Sequence, residues 1–168
     1  MATLITSFVF AGVLSAYIFL GRGLVRQGNE EEMESRSRTT LFYFTKDVSA
    51  ATAISTYTAS QIVLTTPSAT VTYTYNAAPG SPGIAPSGTL ARTQVPANQS
   101  IPTSLLTHLS TFAFNYFTIS GTAPSSAATV KQIQMTYAAI NGSSFGGAQA
   151  HITVASPRVI MKNKPSLK

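Results

Sequence analysis

The sequence predicts an α+β protein in which one long N-terminal helix packs against a small antiparallel β-sheet domain. Three observations support this fold class. Residues 1–21 carry no charge, residues 22–53 place their apolar side chains at helical spacing, and the remaining chain alternates apolar and polar residues in short runs. We therefore expect a transmembrane helix segment at 1–21, its amphipathic continuation at 22–53, and an antiparallel β head domain at 54–168.

The uncharged N-terminal segment predicts a membrane anchor. About 20 helical residues, at roughly 1.5 Å rise each, cross the roughly 30 Å hydrocarbon layer of a bilayer. A buried helix of a soluble protein is the alternative, although such helices are usually shorter and amphipathic. A cleaved signal peptide would need basic residues before the apolar run, but only Met1 and Ala2 precede Thr3. The first cations follow the run, which by the positive-inside rule would leave the rest of the chain in the cytoplasm.

The helix is predicted to continue from about Thr3 to about Ala53. Leu41, Phe44 and Val48 recur on one helical face, and we expect this face to cover the sheet. Two ion pairs at i,i+4 spacing, Glu32 with Arg36 and Glu34 with Arg38, support the helix. Glycines at 21, 23 and 28 each weaken a helix by about 1 kcal/mol relative to alanine, which predicts a kink or a melted stretch between the two halves.

About six short strands are predicted in the head domain, joined by turns rich in Pro, Gly and Ser. Strict alternation places Val71, Tyr73 and Tyr75 on one face of a strand, and the same holds for Phe112, Phe114 and Tyr116 and for Ile133, Met135 and Tyr137. The strands are expected at 61–65, 70–75, 90–95, 111–117, 131–140 and 151–154, followed by an apolar piece at 159–161. Loops are expected at 76–87, 120–128 and 141–147.

Composition argues against most catalytic chemistry. The net charge is +6 and the chain has no cysteine, and no acidic residue follows Asp47. The head domain therefore lacks the carboxylate pair of a glycosidase and the carboxylate ligands of calcium or magnesium sites. His108 and His151 are the only histidines, too few for a zinc site. The G-x-S-x-G pattern at 142–146 has no acid downstream to complete a hydrolase triad.

We therefore expect no enzymatic activity, no cofactor, no metal and no small-molecule substrate. The six cations after Asp47 are scattered and form no sequence patch, so direct binding of nucleic acid is not expected either. The last three, Lys162, Lys164 and Lys168, are interpreted as part of a solvated tail.

In its order of elements the chain resembles the type IV pilin family. The run MATLITSFVFAGVLSAYIFLGRGLVRQ is similar to the segment that follows the processing site of prepilins. The helix end, with Arg38, an apolar cluster at 41–44, Lys46-Asp47-Val48 and Ala50-Ala51, resembles that of minor pseudopilins of the J type and their type IV pilus counterparts. The sheet region follows the same order, with segments at 71–75, 90–93, 112–116, 131–135 and 156–159, so the resemblance covers nearly the whole chain.

The resemblance implies a minor pilin or pseudopilin, a structural subunit of a type II secretion or type IV pilus filament. Such a subunit is held in the bacterial inner membrane by a single pass and exposes its C-terminal domain to the periplasm. Its expected partners are other minor pilins or pseudopilins and the inner-membrane assembly platform. The residues expected to pack in the membrane and in the filament core are Ile5, Phe8, Val9, Val13, Leu14 and Phe19.

The chain departs from the family pattern at its start. A basic leader, a glycine before the cut, an aromatic first mature residue and a glutamate shortly after it are not present, and we expect them upstream of Met1. Basic residues before the helix would also reverse the orientation and export the head domain. The alternatives are a membrane-anchored periplasmic β-domain binding protein unrelated to filaments and an anchored enzyme. The sequence leaves open whether the system secretes proteins, builds pili or takes up DNA.

Overall fold

The computed structural model describes residues 2–78, 80, 87–96, 104–141 and 150–165, with side chains described from residue 8 onward. Helix α1 spans Ala2–Ala50. It runs without interruption through the glycines at 21, 23 and 28, so the predicted melted stretch is wrong. Apart from the neighbouring backbone of the helix itself, no heavy atom in the described residues lies within 4 Å of a Cβ built on any of the three glycines. The helix ends where the amide of Ala51 bonds to the carbonyl oxygen of Val48 at 3.2 Å and the chain turns into the sheet.

In the described ranges an antiparallel sheet of eight strands follows the helix. Seven strands lie in chain order, β1 to β7, and β8 pairs with β6 beyond the end of β7. A short 3₁₀ helix, Ala127–Thr129, precedes β6. The strands are β1 Ala53–Tyr57, β2 Gln61–Thr65, β3 Thr70–Asn76, β4 Gly88–Val95, β5 Ser104–Phe117, β6 Gln132–Asn141, β7 Ala150–Ala155 and β8 Val159–Ile160.

The predicted arrangement of a long N-terminal helix on an antiparallel sheet is confirmed, but the sheet is larger than predicted. Strand β1 was missed because its five residues contain a single buried apolar side chain, Ile54. It is a strand because it pairs with β2, with an irregularity between Ile54 and Thr56. The predicted loop at 76–87 and the turn at 141–147 lie largely outside the described residues, whereas the loop at 120–128 ends in the 3₁₀ helix.

Strand β5 begins seven residues before the predicted strand at 111. Its first half breaks the alternation, because Leu105 and Leu106 are adjacent and both buried. Register shifts interrupt the pairing with both neighbouring strands, and His108 has a left-handed backbone with φ 58°. Strands β4 and β5 also approach closely here, since a Cβ at Gly88 would lie 2.6 Å from the carbonyl oxygen of Leu109. Bulges of this kind hide a strand from a search for period-two patterns.

The sheet curls, so that the β1–β2 connection lies against β5 although β3 and β4 separate them in strand order. The carbonyl oxygen of Ala59 accepts a hydrogen bond from the amide of Phe114 at 2.9 Å. The Tyr116 hydroxyl donates to the carbonyl oxygen of Thr58 at 2.6 Å, and burial raises the pKa of Tyr116. This closure covers one end of the core.

The second half of α1 packs on the inner face of the sheet. Phe44 and Val48 are fully buried, and Leu41 is half-buried against the same core. The Phe44 ring lies 5.8 Å from that of Tyr73 and 6.0 Å from that of Phe114, measured between centroids. The inward positions predicted by alternation agree with the structure. Val71, Tyr73, Phe114, Ile133, Met135 and Tyr137 are buried, and Tyr75, Phe112 and Tyr116 are partly buried against the same core.

Candidate membrane and assembly segment

The N-terminal half of α1 extends beyond the head domain, and its described side chains are exposed. Five of the six residues predicted to pack in membrane or filament are exposed, Phe8 and Phe19 each by 78%. The side chain of Ile5 lies outside the described part. The large apolar side chains exposed on this segment are Phe8, Val9, Phe10, Val13, Leu14, Tyr17, Ile18, Phe19, Leu20, Leu24 and Val25. They surround the helix on all sides, which is typical of a helix that does not face water.

Length and composition allow this helix to cross a bilayer. Among the described residues it is the one helix that is long and apolar enough to cross a bilayer. Its most apolar stretch has a mean hydropathy of 1.8, and none of that stretch is buried by the rest of the chain. Burying its large apolar side chains would stabilise the protein by on the order of 20 kcal/mol. A surface of this size is not left in water by a soluble monomer. An exposed apolar surface of this extent is typical of segments that interact with lipid or with other proteins.

Three ion pairs line the helix between its bare and packed halves. Both predicted pairs are present, Glu32 with Arg36 at 2.8 Å and Glu34 with Arg38 at 2.6 Å. A third pair joins Arg26 and Glu30 at 2.8 Å. All three are exposed, so they contribute little to the stability of the fold. They favour helix on the exposed side of the segment between the apolar N-terminal half and the half that is buried against the sheet.

A buried cluster fixes the packed half of the helix to the sheet. Arg92 of β4 donates to both carboxylate oxygens of Asp47, from Nε at 2.8 Å and from Nη2 at 3.2 Å. The Tyr73 hydroxyl of β3 donates to the same carboxylate at 2.6 Å. Nη2 of Arg92 also donates to the Gln94 side-chain oxygen at 3.0 Å. This network satisfies both buried charges, as burial of an ion pair requires.

Burial and the Asp47 charge set the acid–base behaviour of the cluster. Burial and then the adjacent carboxylate raise the pKa of Tyr73 well above 10, so its hydroxyl stays protonated and remains a donor. Burial lowers the pKa of Arg92, but the hydrogen bonds and charge of Asp47 outweigh burial and raise it overall. Tyr73 and Arg92 therefore both stay protonated at neutral pH, and their hydrogen bonds to Asp47 hold the helix against the sheet.

Sequence reasoning missed this cluster, although a signal was present. Asp47 is the last acidic residue of the chain, and Arg92 is the only cation between Lys46 and Lys131. An arginine in the middle of a strand needs a partner, and only two acids, Glu31 and Asp47, lack a cation at helical spacing. Of these two, Asp47 is the one that lies close to the predicted helix-to-sheet face. A second contact across the same interface joins the Tyr137 hydroxyl to Ser37 Oγ at 2.6 Å.

Of the three lysines predicted to lie in a solvated tail, Lys164 is buried, so that part of the prediction is wrong. Lys162 is exposed, and Lys168 lies outside the described residues. The Lys164 ammonium donates to the carbonyl oxygens of Ala127 and Val130, the latter at 2.9 Å. The Lys131 ammonium donates in turn to the carbonyl oxygen of Lys164. Burial and the neighbouring Lys131 charge lower the pKa of Lys164. These contacts fasten the segment after β8 to the start of β6.

Neither histidine belongs to a cluster of metal-ligating side chains within the described residues. His108 lies at the irregular part of β5 and His151 on β7, and residues 142–146 lie outside the described part. Across the residues that the structure describes, no three His, Cys, Asp or Glu side chains come close enough to hold a metal ion.

No family model matches the sequence, and no curated protein or solved structure matches the chain. The architecture, a long apolar N-terminal helix on an antiparallel sheet, is pilin-like in general shape.

Proposed function

We propose that the chain is a minor pilin-like structural subunit, which assembles through its N-terminal helix into a filament of the type II secretion or type IV pilus kind. The observation that supports the proposal is that α1 is one uninterrupted helix whose two halves have different surroundings. Its first half is apolar and bare, and its second half is clamped to the sheet by Phe44, Val48 and Asp47. The function is assembly, not catalysis.

The two halves suit two successive environments. An apolar helix that is bare on every side can lie in lipid and can later pack against helices of neighbouring subunits, because both environments are apolar. In the proposed life cycle the subunit waits in the inner membrane with its head in the periplasm. Other minor subunits and an inner-membrane assembly platform are its proposed partners.

The buried cluster explains how the orientation of the head would be coupled to that of the helix. Asp47, Arg92 and Tyr73 fix the rotation of the helix against the sheet, because a shift of one residue would take the carboxylate out of reach of both donors. A neighbour that packs on the bare half would thereby also set the orientation of the head. This coupling is what a subunit needs to present a defined surface on a filament.

The proposal is tested by reconstituting the full chain into liposomes and, separately, by removing detergent at high protein concentration. We expect the chain to float with the liposomes, to resist alkaline extraction, and to form sedimentable filaments that electron microscopy resolves. The double variant Val13→Asp, Phe19→Asp should weaken liposome association and abolish filament formation, because each aspartate places a charge in the apolar segment. Ser125→Asp, at an exposed polar position of the head domain, is the matched control and should change neither.

Two results would contradict the proposal in different ways. A chain that floats with liposomes but stays monomeric at high concentration would support the alternative of an anchored β-domain binding protein. A chain that remains monodisperse in water without detergent would contradict the membrane anchor as well.

A further inference from the structure

We infer that Glu31 of one copy forms an ion pair with Lys46 of a second copy, so that the face of α1 opposite the sheet is the contact between parallel, axially shifted helices. The inference rests on the proposed function, because it names the partner and the contact through which the chain self-assembles.

The first observation is the charge inventory of the helix. Glu30, Glu32 and Glu34 each bind an arginine of the same helix, and Asp47 binds Arg92. In the described part of the chain, Glu31 is the one acidic side chain without an ion-pair partner. Since no acid follows Asp47, the head offers a neighbour only cations. An acidic group that binds a cation of a second copy must therefore come from α1. Glu31 is the acidic residue of α1 that does not already form an ion pair within its own chain.

The second observation concerns Lys46. Its side chain is exposed at the C-terminal end of α1, and no described acid pairs with it. It borders a cleft of about 320 Å³ between the helix end, the β2–β3 turn and β4, whose walls include Tyr43, Ser68 and Gln94. Asp47 and Arg92 in the same wall neutralise each other, so Lys46 supplies the uncompensated charge. A carboxylate is the complementary group for this position.

The geometry of the helix brings the two charges to one side. Fifteen residues separate Glu31 from Lys46, which at 1.5 Å and 100° per residue places them about 22 Å apart along the axis and about 60° apart around it. Both lie away from the buried face formed by Met33, Ser37 and Phe44. Moving a second, parallel copy by this distance brings its Glu31 beside Lys46 of the first.

An exposed aromatic residue fits the same shift. Phe42 is 64% exposed on an otherwise polar stretch of the outward face. With the copies shifted by fifteen residues, Phe42 of one lies beside residues 27 and 28 of the other. Apart from the neighbouring backbone of its own helix, Gly28 has no described heavy atom within 4 Å of the position of a Cβ, which leaves room for the ring. The aromatic contact and the ion pair would therefore form together.

Charge reversal in the full chain tests the inference. Glu31→Lys and Lys46→Glu should each raise the protein concentration needed for filament formation after detergent removal by about tenfold, since attraction becomes repulsion. The double variant should return toward wild type. Glu34→Lys and Lys162→Glu change the net charge equally at other exposed positions and should have little effect. Near-UV circular dichroism should show that every variant keeps the native fold.

Thiol cross-linking gives an independent readout, because the chain has no cysteine of its own. Filaments of mixed Glu31→Cys and Lys46→Cys chains should yield a covalent dimer with a short bis-maleimide, and filaments of either chain alone should yield much less. If wild-type chains form filaments and both reversal variants assemble normally, the inference is overturned and the proposed function is not. The same holds if wild-type chains form filaments but the mixed cysteine chains yield no cross-linked dimer. Absence of wild-type filaments would overturn the proposed function and this inference with it.

Discussion

Arg92 lies 45 residues beyond Asp47 in the sequence and holds its carboxylate with two hydrogen bonds, of 2.8 and 3.2 Å. This pair ties the last two turns of the helix to the middle of strand β4. Tyr73 of β3 completes the site from the neighbouring strand. The helix and two strands are thereby joined at one point inside the core.

Removal of one partner of this pair should be costly. Asp47→Ala leaves the Arg92 charge buried without compensation and is expected to lower the free energy of unfolding by about 3–5 kcal/mol. The triple variant Asp47→Leu, Tyr73→Phe, Arg92→Met removes both charges and the hydroxyl together and should cost clearly less. Urea unfolding of the detergent-solubilised chain, followed by tyrosine near-UV circular dichroism, measures both. Equal destabilisation of the two variants would contradict the assignment of the cost to an unpaired charge.

Two aromatic residues two positions apart on α1 should behave in opposite ways. Phe44 is fully buried and Phe42 is exposed. Phe44→Ala is expected to lower the free energy of unfolding by about 3–5 kcal/mol through lost contacts and a cavity. Phe42→Ala should change it by less than about 0.5 kcal/mol but should impair filament formation. The same unfolding assay and a sedimentation assay separate the two effects, and normal assembly of Phe42→Ala would argue against a contact there.

Stability should fall steeply in alkaline solution. The pKa of Tyr73 is raised in the folded state, by burial first and by Asp47 second, and burial also raises the pKa of Tyr137. Above pH 10 the unfolded chain releases these protons while the folded chain retains them, so the free energy of unfolding decreases as pH rises. Unfolding measured at several values between pH 8 and pH 11 should show this decline, and Tyr73→Phe should make it shallower.

Lys164 changes the free energy of unfolding with pH in the opposite direction to Tyr73, and it provides a control for that experiment. Because its pKa is lowered in the folded state, the unfolded chain binds more protons below pH 10.5, and this group adds stability as pH rises toward that value. Tyr73→Phe leaves Lys164 in place, so the difference between the two proteins isolates the tyrosine. An identical alkaline slope in both would show that Tyr73 ionises normally.

The orientation of the chain can be read by thiol labelling. Cysteines placed singly at Lys162, an exposed residue of the head, and at Thr3, near the helix start, have no native thiol as background. In bacterial cells with a permeabilised outer membrane, a membrane-impermeant maleimide should label the Lys162→Cys chain. The Thr3→Cys chain should react only after the inner membrane is disrupted. The reverse pattern would place the head in the cytoplasm.

Local patterns in the sequence determined most of the elements. The predicted strand at 61–65 matches β2 to the residue, and the helix was predicted to within a few residues at each end. The buried positions Ile133, Met135 and Tyr137 follow directly from alternation. These features depend on the spacing of apolar side chains within ten or so neighbours, and that spacing is visible in the sequence itself.

Only the tertiary structure decided which distant segments meet. Strand β1 exists through its pairing with β2, and the first half of β5 bends at a bulge that no periodicity reveals. The partners of Asp47 come from residues 26 and 45 positions away in the chain, and the carbonyl groups that bind the Lys164 ammonium come from residues 34 and 37 positions away. A buried charge is stabilised by whatever group the fold brings within hydrogen-bond distance, so the sequence shows that a partner is needed, whereas the packed sheet determines which residue supplies it.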